Sequence, residues 1–214
     1  MSVVSPTFSE SVFVNSPFDE DFDPILQSIL FSIVYLGLTP RLSRERNDSA
    51  ETRLEKITEM IESCRYSIHD LSRCESKKKG ERFRLNMPFE LGIDWACRRY
   101  YGSGRDQKRF LVLEEKAYRY QAALSDISGS DIQYHSGDFQ QAVRKVRNWL
   151  VSEAGIIAEG ASRILARYVD FQGWYFEKQL TAGFSEEDIK DYDTGELLSA
   201  MVEWIAAGKP ILPT

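Results

Sequence analysis

Three short segments set polar, chemistry-bearing side chains directly after or at the end of an apolar run. They are Asn15-Ser16-Pro17-Phe18-Asp19, His69-Asp70-Leu71-Ser72-Arg73 and Asn86-Met87-Pro88-Phe89-Glu90-Leu91-Gly92. Their carboxyl groups are the residue types that move protons, attack as nucleophiles or stabilise a developing positive charge. Glu90 follows Pro88, a residue suited to open a helix, here read over 88–100. That spacing puts Glu90 in the first turn, where unpaired N–H groups and the helix dipole favour an ionised carboxylate. The plainer role for an acid there is helix stabilisation, worth ~0.3–1 kcal/mol. Gly92, two residues on, costs a helix ~1 kcal/mol against alanine and so marks a close backbone or ligand approach. Asp70 ends an apolar run, where a carboxylate is tolerated only if paired or solvated in a cleft. Capping a turn with Ser72 is its plainer role. His69 points to the opposite side of the same strand and is read as structural. Arg73 and Arg65 could hold a phosphate, against ordinary surface solvation.

Several other chemistries are excluded. No glycine-rich phosphate loop follows a strand, since Gly102-Ser-Gly104 follows a helix. No Ser-His-Asp order stands out, and His135 lacks a nearby nucleophile motif. Two histidines and three cysteines, Cys64, Cys74 and Cys97, with no CxxC pair, argue against both a zinc site and a disulfide framework. A net charge of −6 argues against a nucleic-acid backbone as partner. The run Lys77-Lys78-Lys79 reads as a solvated loop. The amino terminus shows no basic segment followed by an apolar run, so no signal peptide is expected. The apolar stretch 25–38 is interrupted and too short to span a bilayer, so no membrane association is expected and a cytoplasmic location is.

The elements that must position these side chains alternate. Ser11–Asn15 reads as a buried parallel strand ending in Ser16-Pro17. Asp23 before Pro24 reads as an N-cap, opening a helix with Ile25, Leu26, Ile29, Leu30, Ile33 and Val34 on one face. A short strand at 38–42, an amphipathic helix at 50–64 and a third strand at Tyr66–Asp70 follow. After a long charged loop come the helix at 88–100, the strand Arg109–Glu114, a weaker strand at 132–134 and a helix at 138–151. Connections this long call for parallel strands with crossover helices, and hence a doubly wound, flavodoxin-like α/β sheet of about five strands. Residues 11–152 are read as that domain, and 153–214 as a helical extension with helices near 156–178, 185–191 and 194–207, packed on the sheet or forming an appendage. Tyr118, Tyr120 and Trp174 are expected in the core. In such a sheet the ligand lies beyond the carboxyl ends of the strands, here those after 11–15 and 66–70.

The segments VFVNSPF, RLEKITEMIESCRYSIHDLSR and NMPFELGIDWA together resemble the nucleoside 2-deoxyribosyltransferases and the related TIR-like domains, over about residues 11–140. In the transferase family a first strand ends in a small-residue-Pro-Phe turn, a later strand ends in an aspartate, and a helix starts with a Phe-Glu-Leu-Gly core; TIR domains that cleave NAD place a glutamate at a comparable helix start within a different motif. The resemblance implies that Glu90 is the catalytic carboxylate, nucleophile or stabiliser of a sugar cation, and that Asp70 binds the sugar or assists departure of the base. It implies that Asn15, Ser16 and Phe18 line the base or ribose pocket; Asn86 and Arg73, near Glu90 and Asp70 in the chain, are read as further candidates for substrate binding. A long charged insert between Asp70 and Glu90, with Asn86-Met87-Pro88 in place of Ser-Gly-Thr, shifts the expectation from transfer toward hydrolysis or nucleotide binding alone. The activity implied is cleavage of the N-glycosidic bond of a nucleotide, nucleoside or NAD, through an oxocarbenium-like state that needs neither metal nor cofactor. The resemblance further implies a bacterial defence setting, and assembly with further copies or an activating protein. A non-catalytic nucleotide sensor and a TIR-like interaction domain are the alternatives.

Overall fold

The run Ser11–Asn15 forms β1 with every side chain buried, as the apolar centre Val12-Phe13-Val14 requires of a strand covered on both faces. A computed structural model describes the chain over residues 7–45, 48–73, 85–122 and 124–212. The elements after β1 are α1 (Asp23–Tyr35), β2 (Thr39–Arg41), α2 (Arg53–Ser63), β3 (Tyr66–Asp70), α3 (Asn86–Tyr100), β4 (Arg109–Glu114), β5 (Gln133–Tyr134) and α4 (Phe139–Ala154). Then come α5 (Ala161–Thr181), α6 (Glu186–Lys190) and α7 (Thr194–Ala206). The five strands are all parallel, in the order β2-β1-β3-β4-β5, which is the expected flavodoxin-like arrangement. The order reverses between β1 and β3, so their carboxyl ends form the switch point of the sheet. Lys77-Lys78-Lys79 and Cys74 lie outside the described residues.

Strand alternation assigns the side chains to two unlike layers. Val12, Val14, Tyr66, Ile68, Leu111 and Leu113 face α1 and α4 in one large apolar cluster. Phe13 faces the other way, into a smaller cluster with Ile57, Met60, Ile61, Cys64 and Cys97 from α2 and α3. α1 is apolar almost all round because it is covered on two sides. Phe31, absent from the single expected face, is fully buried and stacks on Phe171 of α5 at 5.5 Å, with Trp204 of α7 at 5.9 Å. Thus α5 and α7 share the core of β1 and α1; the C-terminal helices pack onto α1 and α4, which is neither the direct packing on the sheet nor the separate appendage expected.

Several local readings need correction. Asp23 is the first helical residue and not the N-cap, which is Phe22. Its carboxylate instead accepts from Gln27 and from the Tyr192 hydroxyl. α2 begins at Arg53 behind a reciprocal capping box of Thr52 and Glu55. α3 begins at Asn86, two residues before Pro88. A proline is tolerated there, because the first four helical N–H groups have no intrahelical acceptor. Tyr120 and Trp174 are buried as expected, whereas Tyr118 adopts a positive φ of 63° in a turn and is exposed. Among the described residues no helix is long and apolar enough to cross a membrane.

Candidate functional site

Beneath α3, the carboxyl end of β1 is tied down by Asn15. Its amide nitrogen donates to the Met87 carbonyl at 2.9 Å, which fixes the orientation of the amide, and lies 3.0 Å from His69 Nδ1. His69 Nδ1 is therefore an acceptor and Nε2 carries the hydrogen, directed at Asp94 Oδ2 at 3.1 Å. The other Asp94 oxygen lies 3.1 Å from Lys108 Nζ. Lys108 also donates to the carbonyls of Ile61, at 2.7 Å, and Cys64, at the end of α2. His69, Asp94 and Lys108 are fully buried, so the Asp94 and Lys108 charges depend on each other for compensation, with His69 supplying a neutral donor. A cation on the last carbonyls of a helix is also favoured by its dipole.

Glu90 lies one helical turn before Asp94, on the same buried side of α3. It is only 5% exposed, and its ionic contact is Arg53 Nη2 at 3.9 Å. Burial pushes its carboxyl up to about 7, partly opposed by the Arg53 charge. The expected first-turn position that would keep it ionised is not observed. With α3 starting at Asn86, Glu90 is its fifth residue, beyond the unpaired N–H groups, and loss of hydration decides its protonation. Gly92 faces open space: a Cβ placed there meets nothing within 4 Å among the described residues, so no close approach by them accounts for it.

Asp70 belongs to the opposite layer. It is fully buried, with Oδ1 accepting from the Ser72 amide at 2.9 Å and Oδ2 accepting from His135 Nε2 at 3.0 Å. The Gly137 amide donates to His135 Nδ1 at 3.1 Å, so the hydrogen resides on Nε2. Ser72 Oγ lies 3.1 Å from that same Nε2. Ser72, His135 and Asp70 therefore form no nucleophilic relay, which needs the serine and the aspartate on different ring nitrogens. Over this group the loops are strapped together. Arg73 pairs with both oxygens of Asp19 at 3.0 and 3.1 Å, and lies 3.5 Å from Glu115. Arg119 binds Glu114 and the Ser72 carbonyl.

The sequence candidates thus divide. Asn15, Asn86 and Glu90 gather around the start of α3, with Asn86 exposed. Asp70 and Arg73 stand on the other side of the sheet, the first enclosed and the second held by carboxylates. For Asp70 and Glu90 to act on one sugar, as the resemblance implies, they would have to share a hollow; among the described residues none is seen, because the two emerge toward different layers and the oxygens of Asp70 are already taken. Ser16 is buried, and its hydroxyl has no hydrogen-bond partner among the described residues. Phe18 is half-buried, with the Arg44 guanidinium 4.4 Å above its ring. Sequence reasoning missed Asp94, Lys108, Arg53 and His135. Asp94 carried a signal in its four-residue spacing from Glu90, and His135 in its place just after a strand; Lys108 carried none. No family model, no curated protein and no solved structure matches the chain.

Proposed function

We propose that the chain is a cytoplasmic N-glycosidase-type enzyme acting on a nucleotide, nucleoside or NAD, with Glu90 as its catalytic carboxyl. The observation that carries this reading is a buried, weakly paired carboxyl raised to about 7 beside the switch-point end of the sheet. Near neutrality such a group is shared between its two forms. Ionised, it stabilises an oxocarbenium-like sugar or attacks its anomeric carbon; protonated, it donates to the departing base. The resemblance of the Pro-Phe-Glu-Leu-Gly segment to the deoxyribosyltransferase and TIR-like superfamily supports the substrate class, the defence setting and activation by assembly. Asp70 enters as a positioning residue, holding His135 and the Ser72 turn.

The test is incubation with a panel of nucleosides, nucleotides and NAD, with chromatography for free base or nicotinamide. Release is expected from the wild type and lost in Glu90→Gln; full turnover by that variant would overturn the assignment. A second reading, a non-catalytic nucleotide sensor or TIR-like interaction domain, is favoured by the Asp19–Arg73–Glu115 strap, which holds the loops after β1, β3 and β4 together. Calorimetric binding without turnover would select it.

A further inference from the structure

At about 100° per residue, the two sides of α3 can be laid out around its axis. Met87, Glu90, Leu91, Asp94 and Cys97 are its buried side. Gly92 is central to the opposite side, with Phe89 and Trp95 three residues before and after it and about 60° to either flank. Leu85, whose backbone is already helical, and Arg99 continue that line to the two ends. The outward side of a surface helix is ordinarily polar. Here Leu85 is 67% exposed, Phe89 59% and Trp95 55%, and all three stand in one helical register. Gly92 points the same way. Glycine weakens a helix interior, yet it relieves no crowding within the chain: a Cβ there meets nothing within 4 Å among the described residues, and its φ is not positive. On an exposed face, a bare Cα between two large rings is a notch that admits another backbone.

We propose that this face binds a second copy of the chain, α3 packing antiparallel on α3 about a two-fold axis level with Gly92. A two-fold contact needs a self-complementary surface. The two rings lie equally far from the notch on opposite flanks, so the two-fold sets each Phe89 beside a Trp95 of the other copy. Neither pair collides, and the facing glycines let the backbones close up. A parallel pairing would oppose Arg99 to Arg99 and align the helix dipoles. The antiparallel one opposes the dipoles and lays the Arg99 stem on Leu85 of the second copy. At ~150–250 Å² for a whole large side chain, the exposed parts of Leu85, Phe89 and Trp95 come to about 350 Å² per copy. With Pro88, Arg99 and the backbone at Gly92, two copies bury about 1,000 Å², the size of a weak, reversible dimer. Glu90 is on the far side of the helix, so the inference goes beyond the glycosidase reading and does not rest on it.

The test is sedimentation equilibrium of the full chain from ~5 to ~500 µM, a range that spans a weak dimer. A reversible monomer–dimer equilibrium is expected. Phe89→Ser with Trp95→Ser, at two exposed positions outside the core, should weaken it by about tenfold or more. Gly92→Leu gives the sharper reading. Leucine is the better helix former, so this variant should melt no lower than the wild type at the dilute end. Its side chain fills the notch, and the dimer should weaken by about tenfold. A merely adhesive apolar face would associate more strongly with the added leucine. Register is read at position 85, where Leu85→Lys, set against Arg99 of the second copy, should weaken the dimer more than Leu85→Glu. A chain that stays monomeric throughout, leaving the face to a different protein, would overturn the proposal. So would undiminished association of Gly92→Leu or of the double serine variant, or the reverse order at position 85. Turnover enters none of these measurements, so failure here leaves the glycosidase reading to the outcome of Glu90→Gln.

Discussion

The two layers of the sheet each bury one of the chain's two histidines against an aspartate, and the two pairs are built alike. In each, Nδ1 accepts an N–H and Nε2 donates to a carboxylate. Their surroundings differ. Asp94 also holds Lys108, and its network runs between α2, α3, β1 and β3 through regular elements. Among the described residues Asp70 holds only His135 and the Ser72 turn, at the tips of loops after β3 and β5. The same acid–histidine pair thus acts as a weld where a buried ammonium depends on it, and as a loop fastener where only neutral donors do. In both places the ring is committed to holding structure, whereas Glu90, the carboxyl on which the proposed function rests, has no such partner ring among the described residues.

The sharpest way to break this comparison is to truncate both aspartates. Asp94→Ala strands the Lys108 charge in the interior and is expected to cost about 3–5 kcal/mol in urea unfolding. Asp70→Ala removes an acceptor from neutral donors and should cost about 1–3 kcal/mol. Equal losses would show that the Lys108 charge does not distinguish the two layers.

Glu90 gives the next largest effect, through pH. Its carboxyl rises from 4.5 in the unfolded chain to about 7 when folded, so the folded state binds the proton more tightly. That contribution to stability is fully present below pH 4.5 and is lost as the pH rises through about 7. Glu90→Gln should therefore unfold at higher denaturant than the wild type at pH 8, by on the order of 2 kcal/mol, with the gap closing toward pH 4.5. A stability gain together with lost turnover is the signature of a carboxyl held against its hydration preference for function. A gap independent of pH would remove burial as the cause. The smallest expected effect is at Gly92. Open space and a helical backbone predict that Gly92→Ala stabilises the fold by ~0.5–1 kcal/mol, read as a shift in melting temperature. Loss of stability would reveal a neighbour close to that position.

Much of the scaffold was legible because it is written in local periodicity. The apolar run of β1, the strand Arg109–Glu114 and the stripe of α2 each announce their element, and their alternation with helices implies a parallel sheet. Even the opposition of His69 and Asp70 follows from strand alternation. The start of α3 was misread by two residues, because proline signals the first turn without specifying its position within it. That two-residue shift takes Glu90 beyond the unpaired N–H groups, so burial and not the helix terminus sets its ionisation, and near neutrality both its forms are present.

Sequence alone thus determined the kinds of element, their order and the edge of the sheet where polar side chains collect. Only the tertiary structure decided which of those side chains meet. His135 reaches Asp70 across 65 positions and Lys108 reaches the end of α2 across 44, while Asp70 and Glu90 part to opposite layers. Periodicity records which face of an element is apolar. Hydrogen-bond partners and burial depend on how those faces are stacked, and that is set by the packing of the whole core.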